Sequence, residues 1–285
     1  MRARTSRNRR IADASVKLLS TVASLAGIIA LAWILLVVIN RGAGALNISF
    51  FTHSTTPSGI EGGGVANAIL GTFMITVLAA AIGIPTGIFA GVYLAEFGNH
   101  NRFGAIVRFA VNAMMGIPSI IIGLFVYTLM VLPFGHFSGY SGAVALGIIM
   151  MPVVARTTED MLNLVPNSLR ESALALGAPR WRVTLGIMFR AAKTGLITGT
   201  LLATARVSGE TAPLLFTALN SFYWPKGLGE PTANLTITIF QYAMSPYEDW
   251  QQKAWGASLL IMSGVLLLTV CSRMILTSPR KEKRP

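Results

Sequence analysis

The sequence predicts an all-α membrane protein of six transmembrane helices with both termini in the cytoplasm, and three observations lead there. Of its 285 residues 53% are hydrophobic and only 12% charged, whereas a soluble domain usually carries about 25% charged residues. Apolar stretches of roughly 20 residues, the length that crosses a bilayer, recur six times. Lys and Arg collect in alternate connections between these stretches, as they do in loops that stay in the cytoplasm. A water-soluble globular domain is therefore excluded, and the net charge of +12 reads as a signal of topology rather than of nucleic-acid binding. The single cysteine, Cys271, excludes an intrachain disulfide framework and a Cys-rich metal site.

The first span, 18–40, follows a basic head, 1–17, that holds Arg2, Arg4, Arg7, Arg9, Arg10 and Lys17. It resembles a signal peptide with a possible cleavage site at Ala43-Gly44-Ala45, but its apolar core exceeds the roughly 7 to 15 residues of such a region. An uncleaved anchor is expected. The second and third spans, 69–94 and 109–132, carry glycines for close helix approach, Gly83, Gly87 and Gly91 in one and Gly116 and Gly123 in the other. Each also holds a Gly-Ile-Pro step, Gly83-Ile84-Pro85 and Gly116-Ile117-Pro118, which predicts a kink. The fourth span, 135–155, is interrupted by Pro152. The fifth and sixth are 195–219 and 254–276, and a basic cytoplasmic tail, 277–285, closes the chain. The apolar piece 233–245 is about 13 residues, too short to cross, so an external amphipathic or re-entrant segment is expected. Tyr223, Trp224, Tyr247, Trp250 and Trp255 flank it where an outer aromatic belt would lie.

With the N-terminus inside, 19 of the 23 basic residues fall on the cytoplasmic side, and only Arg41, Lys226 and Lys253 fall outside. Arg206 lies inside a span. Arg156, at the inner end of the fourth span, suits a positive-inside anchor and is also a candidate cytoplasmic exit contact. His53, His100 and His136 lie in three separate loops without ligand spacing, so neither metal nor cofactor is expected.

The cytoplasmic connection 156–190 reads as two short helices. Ser168-Leu169-Arg170-Glu171 fits a capping box, worth about 1 kcal/mol. Leu169, Ala173 and Leu176 recur at helical spacing, Gly177 supplies a left-handed stop, and Pro179 opens the next helix. Arg180, Trp181 and Arg182 would anchor the element at the headgroups.

Glu171-Ser172-Ala173, then Gly177, then Ile187 resembles in spacing the EAA loop of permease subunits of ABC importers, with Ser172 at the second position and Phe189-Arg190 where Leu-Pro would stand. The run Arg206-Val207-Ser208-Gly209-Glu210-Thr211-Ala212-Pro213-Leu214-Leu215 is similar to the phosphate-importer group of that family. The resemblance implies a MetI-like, type I permease domain over 18–276 in a bacterial plasma membrane. It also implies a second permease, an ATPase dimer, an external phosphate-binding protein and no catalytic activity of the chain's own. Glu171, Ala173, Gly177 and Arg180 would then form the element that docks on the ATPase. Independently, no Gly-Lys pair occurs in the sequence, so there is no P-loop and energy must come from another polypeptide or from an ion gradient.

A charge at mid-membrane costs roughly 2.5 to 3.5 kcal/mol and marks function. Arg206 and Glu210, four apart, are expected to share a helix face and neutralise each other, with Arg206 offering its planar fork to phosphate. Ser208 and Thr211 would add hydroxyls, although bonding back to the helix is their commoner role. Two other readings remain open on the residues: a permease for molybdate, sulfate or phosphonate, and an ion-coupled secondary transporter.

Overall fold

A computed structural model describes residues 2–57, 60, 62–98 and 101–277. His100 and most of the expected basic tail, 278–285, lie outside the described residues. The long helices are α1 (Arg2–Gly42), α2 (Ala66–Glu96), α3 (Arg102–Gly116), α4 (Ser119–Val126) and α5 (Gly139–Asn163). After them come α6 (Asn167–Ala175), α7 (Arg180–Val183), α8 (Phe189–Ser208), α9 (Ala212–Leu215), α10 (Leu235–Ala243) and α11 (Glu248–Thr277). Among the described residues there is no strand, as expected where lipid leaves backbone groups no outside partner.

Four of these helices are long and apolar enough to cross a membrane: α1, α2, α5 and α11. The expected third span is not a single straight helix. Its chain bends by 103° between α3 and α4, because Pro118 cannot donate to the preceding turn and pushes Ile117 into extended backbone, φ −74° and ψ 128°. Pro85, in the other Gly-Ile-Pro step, lies inside the unbroken α2. The expected fifth span is likewise interrupted: α8 ends at Ser208 and the chain restarts as α9. The 20 residues of α8 still rise about 30 Å, the thickness of the hydrocarbon core. The piece 233–245 is the nine-residue α10, buried against α2 and α11.

The core sits on α5. Two-thirds of its apolar window is buried, against none of the window in α1. Gly83, Gly87 and Gly91 of α2 lie directly against its backbone: a Cβ built on each would come 2.8 Å from the Gly147 oxygen, 2.7 Å from that of Met151 and 2.5 Å from that of Ala155. Helices in lipid gain little from apolar burial, so closeness of this kind supplies the dispersion contacts that hold them. Ile75, Ala79, Met150 and Val154 fill the seam, and Ala203, Val207 and Leu214 close it from the α8–α9 side. By contrast α1 touches the body at its C-terminal end, where Gly42 lies against Trp255 and Leu259 of α11.

The seam yields a prediction. Gly87→Leu should cost at least about 2 kcal/mol through overpacking, read as a lowered midpoint in thermal unfolding of the solubilised protein. Gly27→Leu, where a side chain on α1 meets nothing, should leave the midpoint unchanged; equal midpoints for both variants would contradict the packing.

Candidate functional site

The break between α8 and α9 brings four helices to one point. Arg206 lies in the last turn of α8, Gly209 caps that helix, and Glu210 and Thr211 bridge to α9. On α9, Pro213 packs so tightly on α4 that a Cβ at Gly123 would fall 2.6 Å from its Cα. From the start of α10, Thr236 donates its hydroxyl to the Glu210 carbonyl at 2.9 Å. Asn234 caps α10 by accepting from the Ile237 amide at 2.9 Å. Thr72, Thr76, Ser208, Asn234 and Thr236 line a small polar cavity beside the break, within an otherwise apolar core.

Arg206 is exposed and Glu210 half-buried. The expected ion pair between them does not form, and among the described residues neither side chain has a salt-bridge partner. The reason is local: α8 stops at Ser208, so Glu210 lies beyond the helix and the four-residue spacing no longer places the two on one face. Ser208 takes the commoner role, its hydroxyl donating to the Ala205 carbonyl at 2.8 Å.

Near the C-terminal end of α5, Glu159 is 3% exposed and clamped by two arginines. Arg108 of α3 donates through Nε at 2.9 Å and approaches through Nη2 at 2.8 Å, while Arg156 adds Nη1 at 3.3 Å. Arg156 also pairs with Asp160 at 3.3 Å. The pairs within α5 follow from helical spacing. The pairing of Arg108 with Glu159, 51 residues apart, has no signature in the sequence.

The connection between α5 and α8 folds as α6, turn, α7. Gly177 has φ +79°, the left-handed residue that ends α6, and Pro179 caps α7. The expected capping box is absent: α6 begins at Asn167 after Pro166 and has no side-chain cap, which puts Ser168 one residue inside the helix. Pro166 holds φ near −57° and so sets the helix start ahead of the serine. Ala173 alone in α6 is buried, packed with Ala95, Leu162, Val183 and Met188. Leu169, Leu176, Trp181, Glu171 and Arg180 are exposed. One ion pair ties the element to the membrane helices: Arg170 donates to Glu96, the last residue of α2, at 2.8 Å. A carboxylate there opposes the α2 dipole, and the guanidinium compensates it.

Four long apolar helices, with broken ones packed among them, mark a multi-pass membrane protein. Residues 83–278 match the family described as binding-protein-dependent transport system inner membrane component, and the chain belongs to that family. It is 50% identical over 256 residues to the phosphate transport system permease protein PstA of Haemophilus influenzae, covering 90% of each chain. To the protein of that name from Yersinia pestis it is 47% identical over 257 residues, covering 90% of this chain and 87% of the relative. Among solved structures, an inward-facing MetNI methionine ABC transporter shares the fold with a TM-score of 0.60 at 20% identity, covering 75% of this chain and 94% of the other.

Because Glu159 holds two arginines, Glu159→Ala should cost about 3 to 5 kcal/mol in thermal unfolding of the solubilised protein. Asp160→Ala, at a side chain 48% exposed, should cost less than about 1 kcal/mol. Equal losses would show that the clamp is not a buried charge network.

Proposed function

We propose that this chain is a permease subunit of an ATP-driven importer of inorganic phosphate, with six membrane crossings and both termini in the cytoplasm. It forms the translocation path with a second, PstC-like permease, receives phosphate from an external PstS-like binding protein and is driven by a PstB-like ATPase dimer in a bacterial plasma membrane. The observation that carries the reading is Arg206, an exposed and unpaired cation at the end of a helix about 30 Å long, in a chain 47% and 50% identical to the two phosphate permeases.

Arg206 offers the path a planar fork matched to two phosphate oxygens. Glu210, free of the arginine and just past the helix end, repels the anion and limits how long it stays. Thr211 supplies a hydroxyl donor, whereas that of Ser208 is already engaged with Ala205. Arg156, held by two carboxylates, anchors the inner face rather than carrying the substrate.

The chain has no P-loop, so energy enters through α6 and α7. Exposed Leu169, Leu176, Trp181, Glu171 and Arg180 present a mixed apolar and charged surface to the ATPase. Ala173 and Gly177 fix the shape of that surface, and the pair Arg170 with Glu96 passes its displacement to α2 as a rigid link.

Arg206→Gln should lower phosphate uptake by at least about tenfold, the weight of one charge-assisted hydrogen bond, with the complex assembled normally and Arg206→Lys retaining part of the rate. Wild-type uptake by Arg206→Gln would remove Arg206 from the path. Arg170→Gln should leave the ATPase bound yet reduce phosphate carried per ATP hydrolysed several-fold. The charge swap Glu96→Arg with Arg170→Glu should recover part of that loss, and unchanged stoichiometry in the single variant would rule out the link.

A further inference from the structure

The inner half of α8 carries a feature separate from the path. An apolar groove of about 360 Å³ runs between α2 and α8, lined by Ile84, Ile88, Leu185, Phe189 and Ile197, with Arg190 and Lys193 at its cytoplasmic mouth. At this end of the molecule Arg108 and Arg156 hold Glu159 and Arg170 holds Glu96, whereas Arg180 and Arg182 stand exposed on α7. Arg190 and Lys193 are exposed, and among the described residues neither has an ion-pair partner. From Arg190 to Thr200, the deepest α8 residue in the groove, a helix rises about 15 Å, half the thickness of the hydrocarbon core. The groove therefore spans one leaflet, apolar in its depth and cationic where headgroups lie. Ile197, at its centre, precedes Arg206 by nine residues, about 180° round the helix, so the groove faces away from Arg206.

We propose that this groove binds an anionic phospholipid of the cytoplasmic leaflet, with an acyl chain along Ile84, Ile88 and Ile197 and the headgroup phosphate on Arg190 and Lys193. Depth and charge together select this occupant. A free phosphate would use only the mouth, and an apolar helix would leave both cations unpaired.

The test is delipidated transporter, purified with its partner subunits, titrated with phosphatidylglycerol or phosphatidylcholine and read by native mass spectrometry. The wild type should bind phosphatidylglycerol in preference to phosphatidylcholine. R190Q/K193Q should weaken phosphatidylglycerol binding about thirtyfold, the effect of two cations at an anionic membrane surface, with unchanged subunit stoichiometry. R190K/K193R should retain it, and Ile197→Trp, which fills the groove without touching charge, should lose it. Equal binding of the two lipids, full retention in R190Q/K193Q, or retention in Ile197→Trp would overturn the proposal. Displacement of phosphatidylglycerol by millimolar inorganic phosphate would overturn it as well, since the mouth would then belong to a route for free phosphate.

Discussion

Everything in this molecule depends on how closely α2 approaches α5. Within lipid there is little apolar driving force for one helix to prefer another over the bilayer, so association rests on contact distance. Gly83, Gly87 and Gly91 remove the side chains that would hold the two backbones apart. The seam fixes α5 as the buried centre, and α5 then carries the functional ends. Its inner end presents Glu159 to two arginines, and its outer half supplies Leu146 and Ile149 to the core beneath the α8–α9 break. The other partner, α2, ends on Glu96, the carboxylate that holds the cytoplasmic element through Arg170. Displacement of α6 therefore meets the most tightly packed pair of helices in the chain.

The half-buried cations follow one logic, to which the exposed Arg206 is an exception, as are Arg190 and Lys193 at the groove between α2 and α8. Arg108, Arg156 and Arg170 are matched by carboxylates, which lowers the cost of keeping them at the edge of an apolar body. Arg206 is unmatched, at a helix end opened by Gly209 and Pro213. Arg206 is exposed, and under the proposed function a passing anion is its partner. The phosphate reading gives the exception a purpose. The excess positive charge of the whole chain does not, because under the expected topology it collects on one face.

Features set by local chemistry were legible in the sequence. The apolar lengths of the first, second and sixth spans need only hydropathy, Gly177 needs only the left-handed preference of glycine, and the packing glycines need only their four-residue spacing. Features decided by where helices stop were misread. Pro118 turns an expected span through 103°, and the stop at Ser208 separates Arg206 from Glu210 although their spacing suits a helical pair. Pro166 starts α6 two residues too early for Ser168 to cap it. The links of Arg108 to Glu159 and of Arg170 to Glu96 join residues 51 and 74 positions apart, and no periodicity carries such pairs. Leu169 and Leu176 have the spacing of a buried face yet stand exposed, and within this chain only Ala173 of that helix is packed away.

The proposed function requires an external ATPase to drive phosphate through this permease. The most direct measurement is uptake of labelled phosphate into proteoliposomes holding the complete transporter, with the external binding protein present and ATP maintained on the ATPase side. Uptake that requires hydrolysable ATP, stops with vanadate, persists with a protonophore and resists competition by sulfate and molybdate is the predicted result. Uptake that collapses with the protonophore at constant ATP, or that molybdate or sulfate competes away, would contradict it.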